Sequence, residues 1–142
     1  MNFYFIFTKR GLAVILASLV LALVVIAQFS SVSRGYADGS THRKRMEYLA
    51  LYKLGVLEEA VSVKETRLPD EISGAAKTYN DIIKKSGFEL SNFCSKPVMI
   101  YSYKLTDFPE KTVNLIIFSG KIIAGDITDN LKGTISPLIK EK

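Results

Sequence analysis

The stretch Thr112–Ile127 reads TVNLIIFSGKIIAGDI, and its reading decides the fold. Thr112 to Ser119 is a short, mostly apolar run with β-branched residues, the signature of a central strand. Ser119-Gly120 is a tight-turn dipeptide. Lys121 to Ile127 then returns as the partner strand, so the pair is antiparallel. Working backwards, Asp107-Phe108-Pro109-Glu110 reads as a second turn, and Val98 to Thr106 as a strand before it. In that strand Met99, Tyr101, Tyr103 and Leu105 share one face, while Val98 and Ile100 share the other.

Upstream, Pro69-Asp70-Glu71 opens the clearest helical pattern. Ile72, Ala75, Ala76, Tyr79, Ile82 and Ile83 recur at helical spacing, with Gly74 as an internal weak spot. Lys84 and Lys85 suit the negative end of the helix dipole, and Gly87-Phe88 reads as a left-handed cap with its hydrophobic contact. Residues 88–97 connect, with a short turn at Leu90 to Phe93. Residues 60–68, AVSVKETRL, alternate at first and then shift phase, which predicts a bulged and charged edge strand. Residues 42–54, HRKRMEYLALYKL, predict a first helix, capped by Asp38, Ser40 or Thr41 and ended by Gly55, with Met46, Leu49 and Ala50 on one face. The tail from Thr128 packs back through Leu131, Ile135, Leu138 and Ile139. The order α-β-α-β-β-β predicts an α+β domain, a small antiparallel sheet packed by two helices, with a helix laid on one of its faces.

Further upstream, Gly11 to Phe29 reads GLAVILASLVLALVVIAQF, 19 residues without a charge. At 1.5 Å per residue this is roughly 28 Å of helix, enough for the hydrocarbon core of a bilayer. The sequence thus divides into a cytoplasmic tail (1–10), a transmembrane helix (11–29), a Ser- and Gly-rich flexible linker (30–40) and an extracytoplasmic domain (41–142). Lys9 and Arg10 abut the span on its N-terminal side and place that end inside. Arg43, Lys44 and Arg45 form a second basic cluster beyond Arg34 and argue for the opposite orientation. The nearer charges and the first-helix rule decide for a domain outside the cytoplasm. A cleaved signal peptide ending near Val25-Ile26-Ala27 is the alternative, with the domain then secreted.

The formal charge of +5 sits largely beside that span. From Asp38 onward, 16 Lys or Arg face 14 Asp or Glu, a mixed surface rather than a nucleic-acid footprint. Arg43-Lys44-Arg45 reads as a solvated helix start, or as a patch drawn to anionic lipid headgroups. One cysteine, Cys94, excludes an internal disulfide.

Several blocks resemble the bacterial family called domain of unknown function 4830. They are Leu54-Gly55-Val56, Leu68-Pro69, Tyr79-Asn80-Asp81, Lys85-Ser86-Gly87-Phe88-Glu89-Leu90, Tyr101-Ser102-Tyr103, Phe108-Pro109 and Lys121 to Ile127. The resemblance implies small, often membrane-anchored bacterial proteins with no assigned activity. It carries no catalytic residue over. The family's Gly-Gly-Asp block stands here as Ala124-Gly125-Asp126.

No catalytic signature emerges. His42, the single histidine, reads as a solvated cap residue rather than a catalytic or zinc-binding one. Asp126 interrupts an apolar strand; it reads either as a ligand- or cation-binding carboxylate or as a strand-end acid accepting backbone hydrogen bonds. Asp126, Asp129 and Asn130 lack the pattern of an EF-hand loop. Tyr101 and Tyr103 read either as an exposed ligand-binding stripe or as the closure of a helix–sheet interface. No metal or cofactor is expected. The expected function is a membrane-anchored binding or interaction module without catalysis, whose partners are the lipid bilayer and another membrane or cell-envelope protein. The alternatives are an envelope hydrolase using carboxylates such as Asp126 and Asp129, or a structural subunit of a membrane complex.

Overall fold

A computed structural model describes residues 35–140 of the chain. The expected cytoplasmic tail, transmembrane helix and flanking charges Lys9 and Arg10 lie outside the described residues. No helix among the described residues is long and apolar enough to cross a membrane.

Residues from Tyr36 onward form one compact unit. Five strands, β1 (Ser62–Arg67), β2 (Pro97–Lys104), β3 (Lys111–Phe118), β4 (Lys121–Asp129) and β5 (Thr134–Pro137), lie side by side in chain order. Every neighbouring pair is antiparallel. Two helices accompany them, α1 (His42–Ala50) and α2 (Gly74–Lys84), with a 3-10 turn at Leu90–Phe93. The architecture is α+β, as the segregated pattern predicts.

The sheet is built around β3 and β4, whose apolar residues Val113, Leu115, Ile116, Ile117, Ile122 and Ile123 are buried. Ser119 and Gly120 both adopt positive φ, 47° and 75°, which is the two-residue hairpin turn that matches strand twist. The register then shifts between Ile116 and Ile117, with Ile116 facing Ala124 and Ile117 facing Ile122. Ile123 is the extra residue of this bulge. Beyond it, Tyr101, Leu115 and Gly125 stand in one row, and Ser102, Asn114 and Asp126 in the next. Adjacent rows point to opposite faces. A Cβ on Gly125 would stand 3.0 Å from Leu138, so the bare glycine seats that buried leucine.

The two helices pack the sheet on opposite faces. Arg45 of α1 reaches Tyr101 and Tyr103, whereas Tyr79 of α2 reaches Asp126 in the adjacent row. Some boundaries differ from expectation. β1 pairs without a bulge and is an edge strand, as its charge predicts. β5 is a fifth, unforeseen strand of four residues. α2 starts at Gly74, not at Pro69. Leu68 and Pro69 are instead tied to Lys96 and Ser95 by backbone hydrogen bonds that extend the β1–β2 ladder. Gly74 is therefore the first residue of the helix rather than an internal defect. α1 ends by Leu51, and Lys53, not Gly55, takes the left-handed conformation after it. Its buried stripe is Arg45, Leu49 and Tyr52, with Ala50 exposed.

The part of the expected linker that is described is ordered. Ala37 and Gly39 exchange backbone hydrogen bonds with Ile122 and Gly120, and the Tyr36, Phe93 and Phe118 rings pack edge to face. The chain therefore enters the domain beside the β3–β4 hairpin. Asp38 accepts from Lys44 and Ser40, which holds its carboxyl well below the usual range.

Glu89 fastens the end of α2 to the 3-10 turn. It receives Lys84 at 2.8 Å, Asn80 at 2.7 Å and the Ser91 amide at 3.2 Å. These donors, Lys84 first, lower its carboxyl from 4.5 to about 2. A depressed folded pKa contributes stability that is complete above the unfolded value of 4.5 and lost as pH falls towards about 2. Glu89→Gln is expected to lower stability at pH 7 and to differ less and less from the parent between pH 4.5 and 2, read by urea unfolding at each pH. A pH-independent difference would contradict this role.

Candidate functional site

The residues singled out in the sequence fall on two separate faces. Asp126 lies in mid-strand, 3% exposed, on the face covered by α2. Its Oδ1 accepts the Tyr79 hydroxyl at 2.7 Å. Its Oδ2 accepts the Asn114 amide and the Thr128 hydroxyl, both at 2.9 Å. Asn114 Oδ1 in turn accepts the Ser102 hydroxyl at 2.7 Å. Three neutral donors thus satisfy a carboxylate that carries no cation among the described residues. Burial, then the neighbouring Asp126 charge, pushes the Tyr79 hydroxyl above the usual tyrosine range, so it stays a donor.

Asp126 is therefore saturated by side chains from α2, β3 and β4 and is shut off from solvent. The expected strand-end role, an acid accepting backbone amides, belongs to Asp129 instead. Asp129 Oδ1 accepts the Leu131 and Lys132 amides at 3.1 and 3.0 Å and shapes the β4–β5 turn. The two acids are three residues apart on a regular stretch of strand, so they point to opposite faces and do not converge.

The other face is covered by α1. Tyr103 is fully buried and its hydroxyl receives Arg45 Nε–H at 2.9 Å. A second guanidinium N–H donates to the Gly39 carbonyl at 2.8 Å, and the guanidinium carbon sits 3.8 Å above the centre of the Tyr101 ring. Arg45 is 7% exposed and has no carboxylate partner among the described residues. The neutral acceptors and the ring, worth about 2 kcal/mol when desolvated, replace one. This corrects the reading of Arg43-Lys44-Arg45 as a solvated run. Arg43 is exposed beside Glu47, Lys44 pairs with Asp38, and Arg45 is interior. Tyr101 and Tyr103 close the helix–sheet interface rather than form an open stripe.

α1 runs from Gly39, beside the hairpin, towards Leu54 and Leu105. A groove of about 360 Å³ lies on this face, at its Leu105 end. Leu54, Leu105, Ile127 and Phe108 give it apolar walls. Lys111, Lys132, Asp129, Thr134 and Ser136 supply polar groups. Phe108 is 51% exposed in the β2–β3 turn. Lys111 stands opposite Asp129 in register, yet forms no ion pair with it; its ammonium lies 4.6 Å from the Phe108 ring centre. Its volume falls within the range of small-ligand sites, and five of its nine lining residues are polar or charged.

Sequence reasoning did not single out Lys111, Lys132 or the groove. The one available signal was Phe108, an aromatic residue in a turn. His42 is exposed at the start of α1, and Cys94 is half-buried at the end of the 3-10 turn. Among the described residues no group of His, Cys, Asp and Glu could hold a metal ion. No family model, curated protein or solved structure matches this chain.

Asp126→Ala strands the Tyr79 and Asn114 donors in the interior. The expected loss is about 1–3 kcal/mol in urea unfolding. Unchanged stability would show that the network carries no weight.

Proposed function

We propose that this chain is a single-pass membrane protein that presents its α+β domain outside the cytoplasm as a non-catalytic binding module, related to the domain of unknown function 4830 family. In this reading its partners are the bilayer and a small ligand held in the groove at the Leu105 end of the sheet. The observation that carries the binding role is that groove: apolar walls beside an exposed Phe108, with two lysines that have no acid partner among the described residues. The 19 uncharged residues from Gly11 to Phe29 support the anchor, and the resembling blocks support the family.

The hydrolase alternative needs at least two converging acids that include Asp126 or Asp129; these two lie on opposite faces, and Asp126 is buried against neutral donors. The structural-subunit alternative calls for an exposed apolar patch, and Tyr101 and Tyr103, one candidate for it, lie under Arg45. The groove favours the ligand-binding reading over both.

Protease added to intact cells stripped of their outer wall tests the placement. The expected result is digestion of the domain, from a chain that retains its full-length mass in the membrane fraction before treatment. Protection of the domain would overturn the outside placement. A shortened, released chain would overturn the anchor.

A further inference from the structure

We infer that the groove takes a small organic monoanion, a carboxylate on a compact apolar body. This rests on the groove being the ligand site and goes on to name what fills it.

Three observations carry the inference. The first is charge. Lys111 and Lys132 both line the groove, and the one acid beside them is Asp129. The local sum is a single positive charge, which one carboxylate neutralises. The second is availability. Asp129 spends its Oδ1 on the Leu131 and Lys132 amides, and neither lysine forms an ion pair among the described residues. Cross-strand opposition would ordinarily favour a Lys111–Asp129 pair. Lys111 instead rests against Phe108, a cation–π contact that holds the ammonium at the groove with its hydrogen-bond capacity free. The third is shape. The hydroxyls of Thr134 and Ser136 on β5 can donate to the same anion, while Leu54, Leu105 and Ile127 offer no polar group to a second head. A volume of about 360 Å³ lies at the lower end of small-ligand pockets, so the apolar body is short or flat.

The arrangement also says what is disfavoured. A cationic ligand would meet two ammonium groups. A neutral ligand would leave both of them unpaired beside apolar surface.

Benzoate and benzamide test this, because they share a ring and nearly a shape and differ by one charge. The full chain is held in nanodiscs of zwitterionic lipid at low salt. The methyl signals of Leu54, Leu105 and Ile127 are followed by NMR as each probe is added. Benzoate is expected to bind about fivefold more tightly than benzamide, the effect of ~1 kcal/mol from partly exposed charges. The Lys111→Gln, Lys132→Gln double variant is expected to bring the two affinities together. Equal affinities in the parent chain, or a benzoate preference that survives the double variant, would overturn the monoanion inference and leave the groove itself standing. If neither probe moves these methyls, the inference falls together with the groove as ligand site.

Discussion

A carboxylate buried in the middle of a sheet has to be satisfied where it stands, and that constraint on Asp126 organises much of the domain. A buried, unpaired charge is costly, and three fixed donors offset the loss of water. Those donors come from α2, β3 and β4, so the bonds hold only if all three elements are in place together. The bulge at Ile123 is part of the same solution. A one-residue slip of β4 would turn Asp126 to the opposite face, among Leu115 and Leu138, where no donor waits. Register, bulge and helix docking are therefore one linked choice.

The opposite face is solved differently. Arg45 fixes α1 to the sheet through Tyr103 and Tyr101, and to the entering chain through the Gly39 carbonyl. The Leu105 end of this face is closed partly by Leu54 and by the β2–β3 turn with Phe108, which leaves a walled recess rather than a flat surface. Lysines without an ion-pair partner among the described residues give that recess its sign.

Much of the architecture was legible in the sequence, for physical reasons that can be named. The apolar runs of β3 and β4 and the Ser119-Gly120 turn announce an antiparallel pair directly. The spacing of Tyr79, Ile82 and Ile83 announces α2, and Gly87 with buried Phe88 its end. The partnership of Asn114 with Asp126 was not legible. A two-residue turn pairs Phe118 with Lys121, and counting back without interruption puts Asn114 opposite Gly125. The bulge alone delivers Asp126. Arg45 misleads for a related reason: within Arg43-Lys44-Arg45 nothing marks which residue turns inward, and two tyrosines more than fifty positions away decide it. β5, four residues long, has too little pattern to declare itself. The groove depends on all of these placements at once, so its lysines read as ordinary surface charges until the register is known.

The central claim is that Asp126 and Tyr79 form the tie between α2 and the sheet. A double-mutant cycle of Tyr79→Phe and Asp126→Asn, read by urea unfolding of the full chain in nanodiscs, measures that tie directly. The account predicts a coupling of about 1–2 kcal/mol, the double variant losing less than its two single variants together. Additivity to within ~0.3 kcal/mol would contradict it.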